Sequence, residues 1–211
     1  LLAMALAAAT LATAGAGGGG CPIRPNTTVL VYNDTSGGAG QYSTQWETAF
    51  FTWFEEHHPD VGVRSQFMLA SEFASCESLL DYPALQAWVQ PGGNAYLMTQ
   101  SLGMTSKAKI VEFIEAGGLY VGTCAGWYYA SPGYFWEMGS SYGDAGYWSY
   151  PDLLGLFPTA VEGSITNIQD MEIAEGNFHG NKSTSVSAYG GEAWGVSRYT
   201  ALYYGGPTLG W

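Results

Sequence analysis

Short apolar runs alternate with segments of helical periodicity over the first two thirds of the chain. Continuous apolar runs bounded by polar or turn residues are typical of buried parallel strands, and apolar residues three and four apart predict helices. The predicted strands are residues 28–32, 61–67, 85–89 and the run from 119 to 122; the predicted helices are 46–57, 71–80, 106–116 and one that begins after residue 124. This alternation predicts an α/β domain with a mainly parallel sheet and helices on both faces.

The first predicted helix carries an aromatic stripe. Trp46, Phe50, Trp53 and Phe54 recur at helical spacing, which predicts that they face the core. Thr44-Gln-Trp-Glu47 has the pattern of a capping box, so we expect the helix to open there. His57 and His58 fall in the last turn before Pro59, where a cation suits the helix dipole, and this structural role is sufficient for both.

The last third of the chain has weaker periodicity. Residues 131–150 are rich in Gly, Tyr and Trp without a repeat, which predicts a long loop or lid. Strands are predicted around 153–161, 165–173 and 199–204, with turn-rich sequence between them.

The fourth predicted strand breaks into Gly122-Thr-Cys-Ala-Gly126 before the next helix resumes. This pattern is typical of a nucleophile elbow, a sharp strand-to-helix turn that holds its central residue in a strained conformation. The N-terminal N–H groups of the following helix favour the thiolate of Cys124. The alternative is that Cys124 is a small buried hydrophobic residue in a glycine-rich chain.

Two other loops follow predicted strands and therefore lie at the same sheet edge. Pro91-Gly92-Gly93 leaves bare backbone N–H groups, as an oxyanion site requires, although a plain tight turn would have the same sequence. Asp34 follows the first strand and is a candidate crevice residue; the alternative is that it only stabilises a turn.

The composition limits the classes of molecule that the protein could bind. The net charge is −12 and the chain has only six Lys and Arg residues, which argues against binding to nucleic acid or to an anionic membrane surface. No His, Cys, Asp and Glu spacing indicates a metal site. We therefore expect a small-molecule substrate or ligand and no metal or other cofactor, with the oligomeric state left open.

The N-terminus predicts export. Residues 1–16 are apolar and end in Ala-x-Ala patterns, as in the remnant of a signal peptide, and the absence of an initial Met and of a basic segment predicts that the first residues are missing. Residues 17–27 are predicted to be a flexible lead-in, and residues 28–211 the domain. In a secreted or extracytoplasmic protein, Cys21 and Cys76 are one possible disulfide.

Several stretches together resemble a known family. They are Val29–Tyr32, Val89–Gly93, Gly117-Gly118, Leu119–Ala130, Leu154–Pro158 and Tyr203–Pro207. This set resembles the biotin-protein ligase N-terminal domain family, which belongs with the class I glutamine amidotransferase-like domains. The resemblance spans residues 28–210.

The resemblance implies a flavodoxin-like three-layer α/β sandwich. It also implies that Cys124 is a nucleophile, with the N–H of Ala125 and an N–H of Gly92 or Gly93 as the oxyanion site. Gly122, Gly126, Trp127 and Tyr128 would line the crevice together with Asp34.

The chain departs from that family pattern in one respect that bears on catalysis. Active glutaminases of the superfamily place a His base after the last core strand, whereas Ala201-Leu-Tyr-Tyr204 is followed by Gly205-Gly206-Pro207. His179 is the spare candidate for that role. There is also no Gly-Arg-Gly-Arg-like loop, so we expect no biotin ligation.

Two functions remain open at this stage, ahead of a third, a purely structural extracellular domain, because a strained elbow is costly to keep without a use. The first is a secreted cysteine hydrolase or amidase that acts on a small amide or ester through Cys124. The second is an inert binding domain on the same scaffold, which recognises a small ligand, sugar or partner protein through aromatic residues, namely Tyr134, Trp136, Tyr147 and Trp148.

Overall fold

The computed structural model describes residues 20–136 and 146–163, and the backbone of three further strands, 182–187, 198–203 and 208–209. The helices are α1 (Gln41–His57), α2 (Ala70–Ala74), α3 (Ala95–Glu115) and α4 (Ala125–Ala130), with a 3₁₀ turn at Pro59–Val61. The strands are β1 (Val29–Tyr32), β2 (Ser65–Met68), β3 (Ala87–Gln90), β4 (Leu119–Gly122), β5 (Tyr134–Trp136), β6 (Gly146–Trp148), β7 (Val161–Gly163), β8 (Lys182–Ser187), β9 (Arg198–Tyr203) and β10 (Thr208–Leu209).

A four-stranded parallel sheet in the order β2-β1-β3-β4 organises the fold. Val29 pairs with Ser65 on one side and with Ala87 on the other, and Ala87 pairs with Leu119. Parallel strands need crossover connections, which the helices supply. The predicted α/β class with a parallel sheet is therefore confirmed. The carboxyl ends of all four strands lie along one edge, where the predicted site residues follow them.

The two central strands, β1 and β3, bury side chains on both faces of the sheet, whereas Leu119 and Val121 of the edge strand β4 are exposed. Leu30, Tyr32 and Trp88 point to one face, where they join a core cluster with Phe73 of α2 and Ile110 of α3. Val31 and Val89 occupy the alternate strand positions, so they point to the opposite face, and both are buried. Burial on both faces explains why these strands are continuously apolar in the sequence.

Two smaller sheets follow in the last third of the chain. One has the order β10-β7-β5-β6, and the other pairs β8 with β9 antiparallel. The predicted loop at 131–150 was wrong where the structure describes it, since β5 and β6 form an antiparallel pair. The predicted strand at 153–161 is mostly turns that end at β7, and the strand predicted at 165–173 lies outside the described residues. β9 was expected to be the last core strand, but it pairs with β8 instead of extending the parallel sheet.

The boundaries of three helices were also wrong, and α2 ends at Ala74, well before the predicted residue 80. α1 begins at Gln41, not at the predicted capping box, and its N-cap is Gly40 without a side-chain hydrogen bond. Thr44 lies inside the helix, where its hydroxyl donates to the Gln41 carbonyl at 2.9 Å. α3 begins at Ala95, well before the predicted residue 106, because it continues through a kink at Gly103, whose φ is 63°.

The aromatic stripe of α1 does not face the core, contrary to the prediction. Trp46 is 75% exposed, and Phe50 and Trp53 are also exposed. The inward face instead carries small and polar side chains, with Thr44 buried and Glu47 partly buried. Helical spacing alone identifies a common face; which side of the helix meets the sheet depends on tertiary packing.

A disulfide joins Cys21 to Cys76, across 55 residues of sequence. It ties the segment before β1 to the end of α2, and Ile23 beside it is buried in the core cluster. The pairing that the sequence left as one possibility is therefore present. None of the helices in the described part of the chain combines the length and apolar character that a bilayer crossing needs.

We expect the disulfide to stabilise the domain by restricting the unfolded chain. Reduction, or the double substitution Cys21→Ser with Cys76→Ser, should lower the free energy of unfolding by about 2–4 kcal/mol. Urea denaturation with and without dithiothreitol measures this difference. Cys124→Ser is the matched control and should lose the same amount on reduction, because Cys124 is a free thiol. Identical midpoints with and without reductant would contradict the stabilising role.

Candidate active site

Cys124 occupies a strained turn between β4 and α4. Its backbone has φ 47° and ψ −110°, and among the described residues it is the non-glycine with positive φ. The turn is closed by hydrogen bonds from the Gly126 N–H to the Thr123 carbonyl at 2.8 Å and from the Trp127 N–H to the Cys124 carbonyl at 3.0 Å. A non-glycine residue in such a conformation costs free energy and is frequent at active sites. The elbow geometry predicted from the sequence is therefore present.

Gly126 allows the elbow to approach the end of β3. A Cβ at this position would lie 2.3 Å from the carbonyl oxygen of Gln90, which is closer than any side chain could tolerate. The Thr123 N–H also donates to that carbonyl, at 3.0 Å. A glycine at position 126 is thus required by the packing of α4 against β3.

The loops that follow β1 and β3 are bonded to each other beside the elbow. The Gly40 N–H donates to the Gly92 carbonyl at 2.7 Å, and the Asn94 N–H donates to the Gly38 carbonyl at 2.8 Å. Gly93 has φ 145°, and a Cβ there would lie 2.1 Å from the Gly38 carbonyl oxygen. Only glycine permits this approach, which brings the start of α1 next to the Gly-Gly loop.

Two backbone N–H groups point at the thiol of Cys124. They belong to Gly93 and Ala125, and their hydrogen bonds lower the pKa of the thiol. The N–H of Gly92 is directed elsewhere, to the hydroxyl of Ser43 at 2.8 Å. Of the two glycines that the sequence left as alternatives, Gly93 is therefore the one whose N–H lies at the sulfur.

Burial nevertheless dominates the protonation of Cys124. Burial raises the pKa of the Cys124 thiol above its ordinary value, and the hydrogen bonds from Gly93 and Ala125 offset only part of this increase. The sequence led us to expect that the helix N-terminus would favour the thiolate. Within the described structure, desolvation outweighs that effect, so the resting thiol is protonated near neutral pH.

Glu47, on the inward face of α1, extends to the elbow. Its Oε1 accepts hydrogen bonds from the Thr123 hydroxyl at 2.9 Å and from the Ser43 hydroxyl at 3.4 Å. Its Oε2 is buried and has no hydrogen-bond partner among the described residues. The carboxyl group thus lies beside the residue that immediately precedes Cys124.

This environment disfavours the carboxylate form of Glu47. Burial raises the pKa of Glu47 to about 7, although the hydrogen bonds from Thr123 and Ser43 act in the opposite direction. The residue as a whole is only partly buried, but the inaccessible Oε2 means that burial acts on the ionising group itself. Glu47 can therefore change protonation state near neutral pH.

The other predicted site residues have different environments. Asp34 lies at the end of β1 and is buried; its Oδ1 accepts from the Ser36 hydroxyl and the Gly37 N–H, and its Oδ2 accepts from the Ala70 N–H. These bonds hold the loop and the start of α2. Trp127 is 45% exposed, whereas Tyr128 is buried against Tyr134 and Trp136.

Gly122 lies at the end of β4, where a Cβ would be 3.0 Å from the Gly126 backbone. His179 lies outside the described residues. In the described segments, no group of three or more His, Cys, Asp or Glu side chains is arranged to hold a metal ion.

Sequence reasoning missed Glu47 because the residue matched a different pattern. Thr44 and Glu47 have capping-box spacing, which provided a sufficient local explanation for the carboxylate. Its actual partner, Thr123, is 76 residues away in the sequence. A sequence-level indication did exist, since Ser43 and Glu47 are one helical turn apart and follow the loop after the first strand.

The fold is an α/β fold with a parallel sheet. Its candidate site has the geometry of a nucleophile elbow, with a strained cysteine and two neighbouring backbone N–H groups. The chain belongs to the family described as "Biotin-protein ligase, N terminal", whose profile matches residues 28–206. The resemblance noted from the sequence is thereby confirmed. A solved structure described as a glutamine amidotransferase is similar, with 15% identity, a TM-score of 0.44, and coverage of 83% of this chain and 70% of that chain. Comparison with curated protein sequences gives no significant match.

The raised pKa of Glu47 predicts a pH-dependent stability. Its stabilising effect should be fully present below pH 4.5, the ordinary value for the group, and lost as the pH rises through about 7, because the unfolded chain releases this proton first. Glu47→Gln keeps the shape without ionising. Relative to the variant, the wild type should lose about 2 kcal/mol of unfolding free energy between acid and pH 8.5, after allowance for partial exposure.

Chemical denaturation at several pH values measures this difference. Glu56→Gln is the matched control, because Glu56 is exposed on the same helix and carries the same charge. The unfolding free energy of Glu56→Gln should change with pH in the same way as that of the wild type. A constant difference between wild type and Glu47→Gln across the pH range would show that Glu47 has no raised pKa.

Proposed function

We propose that this protein is a cysteine-dependent hydrolase or amidase of the class I glutamine amidotransferase-like type, which acts on a small amide or ester through Cys124. The observation that carries the proposal is the strained Cys124 with the N–H groups of Gly93 and Ala125 at its sulfur. Backbone donors in this position stabilise the oxyanion that forms when a thiol attacks a carbonyl.

The reaction we propose has two stages. The sulfur of Cys124 attacks the carbonyl carbon, the amine or alcohol leaves, and a thioester remains on the enzyme. Water then attacks the thioester and releases the acid. The N–H groups of Gly93 and Ala125 hold the carbonyl oxygen in both stages. Biotin ligation is not part of this proposal.

We also propose that the protein is secreted or extracytoplasmic. The apolar N-terminal segment with its Ala-x-Ala patterns supports export. The Cys21–Cys76 disulfide adds support from a separate feature, because disulfides persist mainly in oxidising compartments.

The test of the hydrolase is acylation of Cys124 by p-nitrophenyl acetate. At pH 8.5 we expect the folded protein to release p-nitrophenolate and gain one acetyl group at Cys124, at least about 10-fold faster than the urea-unfolded protein. Intact-protein mass and peptide mapping locate the acetyl group. Cys124→Ser should abolish the modification, and Cys21 and Cys76 should stay unmodified because they form a disulfide.

Alkylation by iodoacetamide supplies a second readout. Because burial raises the pKa of Cys124, its alkylation rate should still be rising above pH 9. A folded protein whose Cys124 is acetylated no faster than the unfolded chain would refute the hydrolase proposal.

The second candidate is an inert binding domain, and Trp127 is the observation in its favour. Trp127 follows the elbow, is 45% exposed and packs at a tilt against Phe157, with 5.9 Å between the ring centroids. An exposed indole suits contact with a flat ligand or a sugar. An unreactive Cys124 combined with saturable quenching of Trp fluorescence by a sugar panel, lost in Trp127→Ala, would favour this candidate.

A further inference from the structure

Only one of the two oxygens of the Glu47 carboxyl group, which lies near the proposed nucleophile, accepts hydrogen bonds. Oε1 accepts from Thr123 and Ser43, but Oε2 is buried without a partner among the described residues. A buried carboxyl oxygen without a partner is costly for a purely structural residue. Such a group is frequently explained by a catalytic role, in which the carboxyl group as a whole gains and loses a proton.

The hydroxyl of Ser43 adjoins Glu47 and the backbone of Gly92, beside which Cys124 also lies. If Gly92 carried a Cβ, that atom would lie 3.2 Å from the Ser43 Oγ and 3.1 Å from the Cys124 Cβ, so both side chains adjoin the same point. The Ser43 hydroxyl is fixed there because it accepts from the Gly92 N–H and donates to Glu47 Oε1. A hydroxyl can accept one proton while it donates its own, which makes it suitable as a bridge.

We propose that Glu47 is the proton acceptor and donor for Cys124, with the Ser43 hydroxyl as the bridge between them. The inference rests on the proposed hydrolase function and supplies the base that the sequence lacks after its late strand. The described histidines do not replace it, because His57 and His58 lie at the opposite end of α1, where the His57 ring contacts the Trp53 carbonyl.

The proton transfers balance over one turnover. The thiol gives its proton to the Ser43 oxygen as Ser43 passes its own proton to the Glu47 carboxylate, and the sulfur forms a bond to the carbonyl carbon. The protonated Glu47 returns that proton by the same route to the leaving nitrogen or oxygen as its bond to carbon breaks. In the second stage water loses a proton to Glu47 as it attacks the thioester, and the departing sulfur is then reprotonated.

Few ionisable groups surround Glu47 within the part of the chain that the structure describes. Glu47 accepts hydrogen bonds from the Thr123 hydroxyl in the turn after β4 and from Ser43 of its own helix, which in turn accepts from the Gly92 N–H of the loop after β3. The titratable group next to Thr123 in the chain is the Cys124 thiol. No charged side chain contributes to the raised pKa of Glu47. A kinetic step near neutral pH can therefore be assigned to this carboxyl group.

The experiment measures the rate of Cys124 acylation by p-nitrophenyl acetate from pH 5 to 10. The wild type should show a rise with a midpoint near 7 as Glu47 ionises, followed by a second rise as the thiol ionises by itself. Glu47→Gln should lose the first rise and fall about 100-fold at pH 7.5, the usual size of general-base assistance, while it keeps the second rise. Ser43→Ala should show the same loss.

Two further variants distinguish loss of the ionising carboxyl group from a structural defect. Glu56→Gln, with an exposed carboxyl on the same helix, should reproduce the wild-type profile. Thr123→Val keeps the carboxyl but removes a hydrogen bond that lowers the pKa of Glu47, so the first rise should move to higher pH. That shift depends on ionisation, and a structural defect would not produce it.

The outcomes separate the two proposals. If the wild type is acylated at Cys124 but Glu47→Gln gives a superimposable profile, or if Ser43→Ala alone keeps the first rise, the relay is overturned and the hydrolase stands. If wild-type Cys124 reacts no faster than the unfolded chain, the hydrolase fails and the relay fails with it. Should Glu47→Gln not fold, an unshifted first rise in Thr123→Val overturns the relay.

Discussion

The site depends on the hydrogen bonds between the loops after β1 and β3. The Gly40 N–H to Gly92 bond and the Asn94 N–H to Gly38 bond hold the two loops at a separation that only glycine at position 93 permits. That contact brings the start of α1 next to the Gly-Gly loop, where the Gly92 N–H donates to Ser43. The bond from Thr123 to Glu47 then joins the same helix to the elbow.

The site combines strong desolvation with few compensating charges. Burial raises the pKa of both Cys124 and Glu47, because the neutral form costs less to bury. Near neutral pH the thiol is therefore protonated, and Glu47 is divided between its two forms. The N–H groups of Gly93 and Ala125 are fixed by the fold at the sulfur of Cys124. In the proposed hydrolase such preorganised donors would stabilise an oxyanion that appears only during reaction, without a resting thiolate.

Much of the framework could be predicted from local sequence. The strand before Cys124, the helix after it and three further parallel strands follow from apolar runs and their punctuation. The predicted helix boundaries were less reliable. Both α1 and α3 begin several residues earlier than the cap pattern or the apolar periodicity predicted. The aromatic stripe of α1 shows the limit most clearly: periodicity identified the face of the helix, but not its outward direction, since Trp46 is exposed.

By itself the sequence determined the α/β class, the family and the position of Cys124 in its elbow, because these depend on short patterns within one strand, one turn and one helix. Tertiary structure decided the Cys21–Cys76 pairing, which the sequence left as one possibility, the choice of Gly93 over Gly92 as the donor at the sulfur, and the contact of Glu47 with Thr123. Each of these depends on distances between segments far apart in the chain. Thr123 and Glu47 meet across 76 residues, and no local pattern can encode that meeting.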